Sequence, residues 1–518
     1  LFVLHWVILI GLTLRIILKR RATGVSLAWL LLITSVPYVG AVVYLLVGEL
    51  WLPRRRIQKA LLSREELQDV VASIEDRWEL RDDQLPDLAR GLNAQSNVPL
   101  GLSALGGNRV QLYSECDPCL AAMIEDIDQA QHCVNMLYYI WESPGAVEGV
   151  EEALVRAAGR GVRCRLLLDS AGSRGFIQSA RAHEMRRAGV EIVEALPVGK
   201  LRIQLKRIDI RNHRKIVAID HRIGYTGSMN MADPRYFNVG KGVGQWVDVM
   251  ARVEGPAAKV LDITMALDWA IEDTRHESES TRDLLESIRQ AVPVEAAGEI
   301  AAQIVPSGPD QAALLIHQML ITLIYNTRRR LVITTPYFIP GEAMLQAITS
   351  AAHRGVRVTL VVPSKIDSVL VRHASKAYFD DLLRAGVEII EFGGGLLHSK
   401  IVTADDDVAM LGSVNMDKRS FSINFEISMF VYNKGVLDEL RALQEAYIRD
   451  SERVELRDWG ERPLHDRVLQ NAIQLLAPIL GGVTPRCDRG TVIPGILSSR
   501  IHPAVCVVSI HSEYAVPR

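Results

Sequence analysis

Residues 211–230 read RNHRKIVAIDHRIGYTGSMN, and the rest of the chain is interpreted from this stretch. It contains a histidine, a lysine and an aspartate, followed by a Gly-Ser pair and an asparagine: His213, Lys215, Asp220, Gly227, Ser228 and Asn230. The same residue types recur once at identical offsets, as His398, Lys400, Asp405, Gly412, Ser413 and Asn415. Chance duplication of a structural histidine would not also duplicate its polar neighbours. The repetition predicts one active site built from two halves of the chain.

The repetition extends beyond the two motifs. AAGRGVR at 157–163 returns as AAHRGVR at 351–357, and RAGVE at 187–191 returns at 384–388. Apolar, β-branched runs alternate with helical patterns in both halves, which favours an α/β sheet covered by helices. We therefore expect an α/β fold of two tandem repeats, at residues 101–290 and 291–458, packed around a shared active site. Each Gly-Ser pair is expected at a turn where the backbone approaches a ligand closely.

The ends of the chain differ from this body. Residues 1–18 are almost entirely apolar and residues 27–47 carry no charge, a length that crosses a hydrocarbon core of about 30 Å. We predict a membrane anchor of two transmembrane helices in residues 1–52, with one span plus an interfacial helix as the alternative. Residues 53–100 are predicted to be a helical linker that holds the body away from the membrane. Residues 459–518 are predicted to be a C-terminal helix, at 464–480, and a loosely ordered tail.

Composition restricts the ligands. The formal net charge of -2 is nearly balanced, which argues against a nucleic-acid binder, since such domains are usually basic. Each motif offers one histidine beside a lysine, whose charge repels a divalent cation, so we predict neither a metal site nor a cofactor. Cys116 and Cys119 form a C-x-x-C pair, but no second pair accompanies it at the spacing of a zinc site.

Two histidines and two lysines suit chemistry on a phosphodiester. A neutral imidazole can attack phosphorus and form a covalent intermediate, while a second imidazole gives a proton to the leaving oxygen and later takes one from the incoming hydroxyl. The lysines and four side chains of the Gly-Ser-x-Asn segments are expected to bind substrate and stabilise its charge: Ser228, Asn230, Ser413 and Asn415.

The roles of the carboxylates are less determined by sequence. Asp220 and Asp405 either orient the imidazoles or anchor the strands. Asp248 and Glu426 lie downstream of the motifs and are grouped with the expected substrate-binding residues. Each is also a candidate to accept the second ring N–H of a histidine. The approach to the first motif is basic, and it is interpreted as a funnel for an anionic headgroup or as a solvated face: Arg202, Lys206, Arg207, Arg211, Arg214 and Lys215.

The doubled pattern H-x-K-x4-D-x6-G-S resembles that of the phospholipase D superfamily. Further segments resemble the bacterial cardiolipin synthases: AWLLLITSVPYVGAVVYLLVG, QIVPSGPD, TTPYFIP and GSVNMDKRSFSINFE. The resemblance implies two phospholipase D-like repeats that use His213, Lys215, Asp220, His398, Lys400 and Asp405 in catalysis. By analogy with the superfamily, His213 is the nucleophile and His398 the general acid/base.

The resemblance also implies a reaction. A phosphatidyl group would pass from one phosphatidylglycerol to another through a phosphohistidine, with release of glycerol and without a metal. The expected partners are phosphatidylglycerol, other anionic phospholipids and the bilayer, in a bacterial inner membrane with the body on the cytoplasmic side. The alternative is a phospholipase D-type hydrolase, or a nuclease, that uses water on the same two histidines. Neither motif is degenerate, which argues against a non-catalytic scaffold.

Overall fold

The computed structural model describes residues 2–19, 23–48, 77–197, 209–237, 239–273, 286–289, 295–309 and 314–481. Three of the predicted features fall outside these ranges. They are most of the linker (residues 53–76), the basic residues Arg202, Lys206 and Arg207, and the tail from residue 482 onward.

The N-terminal region is helical but divided. It contains helices Phe2–Leu18, Thr23–Ser35 and Pro37–Val43 and a π-helical turn at Tyr44–Gly48. Pro37 begins a new helix because proline cannot donate a backbone N–H to the preceding turn, so the predicted second span is two shorter pieces. Among the residues that the structure describes, no helix is both long and apolar enough to cross a membrane. The two predicted transmembrane helices are therefore not confirmed.

The first repeat alternates strands and helices. Its strands are β1 (Leu105–Tyr113), β2 (Cys133–Tyr138), β3 (Arg163–Asp169), β4 (Glu191–Ala195), β5 (Ile216–Ile219), β6 (Ile223–Gly227), β7 (Trp246–Val247) and β8 (Met250–Glu254). Its helices are Cys116–Gln129, Val147–Gly159, Arg174–Ile177, Ala180–Arg187 and Pro256–Glu272. The last of these is buried from Pro256 to Trp269, because it lies against strands of both repeats.

The second repeat follows the same plan. Its strands are β9 (Ile300–Ser307), β10 (Arg330–Thr334), β11 (Phe338–Ile339), β12 (Arg357–Pro363), β13 (Glu388–Phe392), β14 (Leu396–Leu397), β15 (Ile401–Ala404), β16 (Val408–Gly412), β17 (Met416–Asp417), β18 (Glu426–Val431) and β19 (Ser451–Arg453). Its helices are Leu315–Asn326, Glu342–His353, Val369–Lys376, Phe379–Arg384, Lys418–Ser422 and Lys434–Arg449.

The two repeats share one sheet. Its 15 strands have the order β19-β13-β12-β10-β15-β16-β18-β9-β1-β8-β6-β5-β2-β3-β4, and β1 pairs antiparallel with β9 at the junction. Equivalent strands extend outward from this junction in the same order on both sides. The parallel pairs β2–β3 and β3–β4, and their counterparts β10–β12 and β12–β13, are connected through helices, as parallel pairing requires. The tandem α/β architecture expected from the sequence is confirmed.

Part of the predicted linker belongs to this body. Helix Asp87–Leu100 buries Leu88, Ala89 and Leu92 in the core and contacts helix Leu315–Asn326. It is a component of the folded body rather than a spacer, because its apolar face is already covered. At the other end, helices Leu456–Gly460 and Leu464–Gly481 follow the second repeat, the latter at the position expected from its amphipathic pattern.

A fully buried arginine ties the repeats together. Arg214 pairs with Asp268 at 2.7 Å and donates to the carbonyl oxygens of Glu426 and Ser307 at 3.0 and 3.1 Å. Arg211, two residues before the first histidine, is also buried and lies 3.6 Å from Asp169. Lys215 is buried as well, so the three described residues of the basic approach do not form a solvent-facing funnel.

We predict that Arg214→Met lowers the free energy of unfolding by about 3–5 kcal/mol, because it leaves Asp268 as a buried charge without its cationic partner. Thermal unfolding of the full-length protein, followed by circular dichroism, measures the change. Arg156→Met is the matched control, since Arg156 and its partner Asp128 are 48% and 37% exposed and surface pairs contribute about 0–1 kcal/mol. Equal effects of the two substitutions would contradict the stabilising role of the buried Arg214–Asp268 pair.

Candidate active site

Backbone pairing between the repeats positions both histidines. The short strands β14 and β7 are parallel, with Leu397 opposite Val247, and the His398 N–H donates to the Val247 carbonyl at 2.8 Å. In the other half, Asn212 forms a parallel bridge with Phe425, and the His213 N–H donates to the Phe425 carbonyl at 2.8 Å. The segment that precedes each histidine is therefore paired with a segment of the opposite repeat.

This pairing brings each imidazole to a carboxylate of the other repeat. His398 Nδ1 lies 2.6 Å from Asp248 Oδ1, and His213 Nδ1 lies 3.2 Å from Glu426 Oε1. Both carboxylates are buried. A carboxylate on Nδ1 fixes the tautomer and leaves Nε2 as the nitrogen that can exchange a proton or attack. The structure thus brings together the two histidines and the two carboxylates that the sequence singled out, with the partners crossed between repeats.

The two serines hold these carboxylates. Ser228 Oγ donates to Asp248 at 2.6 Å and Ser413 Oγ donates to Glu426 at 2.5 Å. Both serines are at most 1% exposed. Their hydroxyl protons are committed to the carboxylates, so the expectation that they contact substrate is replaced by a positioning role. Asp248 and Glu426, grouped with them as substrate-binding, likewise face the imidazoles.

The glycine before each serine has a related cause. Gly227 and Gly412 end strands β6 and β16, where a Cβ would lie 2.3 Å from the carbonyl oxygen of Val249 or Ile427. The close approach that requires glycine is to the neighbouring chain segment that carries the carboxylate. The expectation of a close approach to a ligand is corrected accordingly.

The two lysines lie beneath the histidines. Lys215 Nζ donates to the His213 carbonyl at 2.6 Å and Lys400 Nζ to the His398 carbonyl at 2.5 Å. Burial lowers the pKa of Lys215 to about 8 and that of Lys400 to about 7, although nearby Asp248 and Glu426 favour their charged forms. A phosphodiester anion placed beside them would favour those charged forms further.

The protonation of the second histidine follows from burial and charge. Burial, then Lys400, lowers the pKa of His398 to about 4, against the opposing effect of Asp248. Burial alone would raise the pKa of Asp248, but His398, Lys400 and Ser228 hold it at about 2. At neutral pH the pair is therefore a neutral imidazole that donates Nδ1–H to an ionised carboxylate.

The environments of the two imidazoles are not equivalent. Trp246 lies against His398 with ring centroids 4.2 Å apart, and Tyr139 lies against His213 at the same distance. Asn424 holds the place before Glu426 that Trp246 holds before Asp248, and its Nδ2 is 3.3 Å from His213 Nδ1. The His213 side chain is 21% exposed, against 9% for His398. His213 is the more accessible of the two.

Asp220 and Asp405 lie at the far ends of the strands that follow the histidines. The Asp220 carboxylate accepts the backbone N–H groups of residues 131–133 at 2.8–2.9 Å. The Asp405 carboxylate accepts those of residues 328–330 at 2.7–3.0 Å. Both residues adopt the left-handed backbone conformation, with φ of 50° and 47°. Of the two roles left open by the sequence, these contacts match anchoring of the strands.

A cavity of about 420 Å³ opens beside His213. Its polar lining includes Asn415, Asp417 and Asn424. The Oδ1 atoms of Asn415 and Asn424 are buried without a hydrogen-bond partner among the described residues. Such oxygens are suited to accept hydrogen bonds from a ligand hydroxyl. Asn230, the counterpart of Asn415, instead accepts the Ile140 N–H at 3.3 Å.

Sequence reasoning missed several residues of this cavity. Lys418 and Arg419 line it together with Tyr337 and Asp367. The signal was a difference between the repeats: GSVNMDKRS at 412–420 places a Lys-Arg pair where GSMNMADPR at 227–235 has Asp-Pro. The stacking residues Tyr139 and Trp246 are not indicated by the sequence, because stacking on a histidine leaves no mark in one sequence.

The described residues contain one group with the composition of a metal site. Cys133, His221 and Asp262 lie together at the opposite end of β5 from His213. His221 Nδ1 contacts Asp262, and although burial opposes it, this bond raises the pKa of His221 to about 10. The resulting imidazolium–carboxylate pair accounts for the cluster, which includes neither motif histidine.

Comparisons with known proteins agree with a chain built of two phospholipase D-like repeats. Residues 123–239 and 320–447 match the family described as "Cardiolipin synthase, PLD-like domain", and residues 7–49 match "Phospholipase_D-nuclease N-terminal". The proteins named Cardiolipin synthase A of Erwinia tasmaniensis and of Yersinia pseudotuberculosis are each 42% identical over 476 residues, covering 92% of this chain and 97% of theirs. The crystal structure of the phosphatidylserine synthase of Haemophilus influenzae has a similar fold, with a TM-score of 0.55, 13% identity, and coverage of 75% of this chain and 98% of that one.

We predict that Asp248→Asn lowers the pKa of His398 further, because Asp248 raises that pKa by its charge and its hydrogen bond. Histidine-selective NMR titration measures the shift. The turnover rate should fall by roughly two to four orders of magnitude, the usual contribution of acid–base catalysis. Asp128→Asn, on the surface, is the control. A larger pKa change at His213 than at His398 would contradict the crossed pairing.

Proposed function

This chain belongs to the cardiolipin synthase family of phosphatidyltransferases, and we propose that its two histidine motifs together move a phosphatidyl group from one phosphatidylglycerol molecule to another. The observation that carries the proposal is the pair of imidazoles, each bound at Nδ1 by a carboxylate of the opposite repeat. Two oriented imidazoles are what a double displacement at phosphorus needs, one to form the covalent bond and one to move the proton.

In the first step, Nε2 of His213 attacks the phosphorus of the donor lipid. The P–O bond to the headgroup glycerol breaks, a P–N bond forms, and the leaving oxygen takes a proton from His398. The position of His213 on the cavity wall supports its assignment as the nucleophile. Lys215 and Lys400 stabilise the charge on the non-bridging oxygens, and Asn230 and Asn415 are proposed to bind the substrate beside them.

His398 must gain a proton before it can act as the acid. Its pKa of about 4 makes it neutral in the free enzyme. The arriving phosphodiester adds a negative charge beside the two lysines, which offsets their effect and raises the pKa of His398. Substrate binding and proton uptake are therefore coupled, and Asp248 stabilises the imidazolium that results.

In the second step, a hydroxyl of the acceptor replaces the histidine. Neutral His398 takes its proton, the new P–O bond forms, and the P–N bond to His213 breaks, giving cardiolipin and free enzyme. The amide oxygens of Asn415 and Asn424, which have no hydrogen-bond partner among the described residues, support a hydroxyl-bearing acceptor, since they can hold the headgroup of a second phosphatidylglycerol. Water on the same site would instead give phosphatidic acid, the product of the hydrolase alternative.

We also propose that the N-terminal region anchors the enzyme in the bacterial inner membrane by two crossings, with the body on the cytoplasmic side. Helices Phe2–Leu18 and Thr23–Ser35 turn apolar side chains outward, and Ile17 and Leu31 are 58% and 69% exposed. Apolar side chains exposed in this density are stable against hydrocarbon. The bilayer would then present phosphatidylglycerol directly to the body.

We expect purified wild-type protein, supplied with phosphatidylglycerol in mixed micelles, to release cardiolipin and glycerol in equal amounts. His213→Ala and His398→Ala should each abolish the reaction, because neither imidazole can replace the other. Thin-layer chromatography of labelled lipid and an enzymatic glycerol assay measure the products. Phosphatidic acid as the sole product would favour the hydrolase, and near-full turnover in either variant would contradict the shared site.

The order of the histidines has a separate test. With phosphorus-labelled phosphatidylglycerol, His398→Asn should accumulate labelled protein slowly, because His213 can still attack but lacks its acid. His213→Asn should remain unlabelled. Rapid quenching followed by peptide mapping locates the label. Label on His398 in the His213→Asn protein would reverse the two roles.

The anchor is tested in intact cells. The protein should stay in the membrane pellet after an alkaline carbonate wash, because apolar helices in hydrocarbon are not released by pH. Protease should digest the body in inverted vesicles and leave it intact in spheroplasts. Release by carbonate would exclude the anchor, and digestion in spheroplasts would place the body on the outer side.

A further inference from the structure

The cavity beside His213 has a wall that phosphate chemistry does not use. Five apolar side chains form it: Ile339, Leu370, Val371, Ala374 and Ile473. The polar lining of the same cavity includes His213, Asn415, Lys418 and Arg419. A headgroup or a phosphodiester makes no favourable contact with such a wall, whereas a hydrocarbon chain does.

Two helices supply most of this wall. Leu370, Val371 and Ala374 share one face of helix Val369–Lys376, at helical spacing. Ser368 caps that helix by accepting the Val371 N–H at 3.4 Å, which fixes where it begins. Ile473 comes from helix Leu464–Gly481, which packs on Val369–Lys376. Ala374 and Ile473 are 5% and 9% exposed, while Leu370, at 44%, reaches the surface.

The same wall leads toward the N-terminal helices. Helix Leu464–Gly481 contacts helix Thr23–Ser35 as well as Val369–Lys376. One helix therefore connects the catalytic cavity with the region proposed to enter the membrane.

We propose that this wall is an acyl-chain site, which holds a fatty-acyl chain of the donor phosphatidylglycerol and makes the enzyme selective for long-chain lipids. The proposal rests on the proposed phosphatidyl transfer. A volume of about 420 Å³ falls within the range of roughly 300–1,000 Å³ usual for ligand pockets, which are mostly apolar with a few polar groups. Contacts between the acyl chain and these apolar side chains would help to position the phosphorus for attack by His213.

The test compares two substrates in the full-length protein, dioleoyl- and dihexanoyl-phosphatidylglycerol, in one nonionic detergent. Ile473→Trp and Ala374→Leu fill the site from its two helices. We expect each to lower the ratio of kcat/KM for the dioleoyl over the dihexanoyl lipid by about tenfold, because a long chain loses apolar contacts that a short chain never makes. Leu464→Trp, on the same helix but 72% exposed, is the control and should leave the ratio within about threefold.

An unchanged ratio in both filling variants would overturn the acyl-chain site. If Ile473→Trp is inactive on both lipids, the milder Ala374→Leu decides. A change of similar size in Leu464→Trp would also overturn it, because the effect would then come from the exposed surface. Failure of the wild type to make cardiolipin from either lipid would contradict the proposed function instead.

Discussion

Two hydrogen bonds between imidazoles and carboxylates, each crossing from one repeat to the other, hold the candidate site together. In each half, the backbone N–H of the histidine donates to a carbonyl of the opposite repeat, and a serine hydroxyl donates to the carboxylate. The same three contacts therefore occur on both sides. The continuous sheet places β1 beside β9 and keeps the crossing segments in register. Arg214, held by its buried ion pair with Asp268, joins the repeats by donating to the carbonyl oxygens of Glu426 and Ser307.

Burial makes the electrostatics of the site strong. The two lysines and His398 all have lowered pKa values because water is excluded around them. These buried bases have lowered pKa values, and an incoming anion favours their protonated forms. The site therefore favours the binding of an anion. Without substrate the same groups are held by hydrogen bonds to the backbone and the carboxylates, so the geometry is in place before the lipid arrives.

Much of this arrangement could be predicted because it is repeated. Fixed offsets identify the histidines and lysines, and alternating strands and helices identify the repeats. The partners of Asp248 and Glu426 could not be predicted, since the pairing of β7 with β14 sets the first and the bridge between Asn212 and Phe425 sets the second. The role of Ser228 could not be predicted either. A serine whose hydroxyl is bound to a carboxylate and a serine whose hydroxyl faces substrate look the same in the sequence. Helix Asp87–Leu100 appeared to be a charged spacer because only one of its faces, with Leu88 and Leu92, is buried.

The exchange of carboxylates has the form of a contact across a two-fold axis, in which each half gives the other what it receives. A single repeat on its own would carry a histidine without its orienting base, so an ancestor with one repeat would have required a dimer of identical subunits. When both halves lie in one chain, they no longer need to have the same sequence. Trp246 and Asn424, at matching places beside the two histidines, show the result: each half has been free to evolve toward a different task.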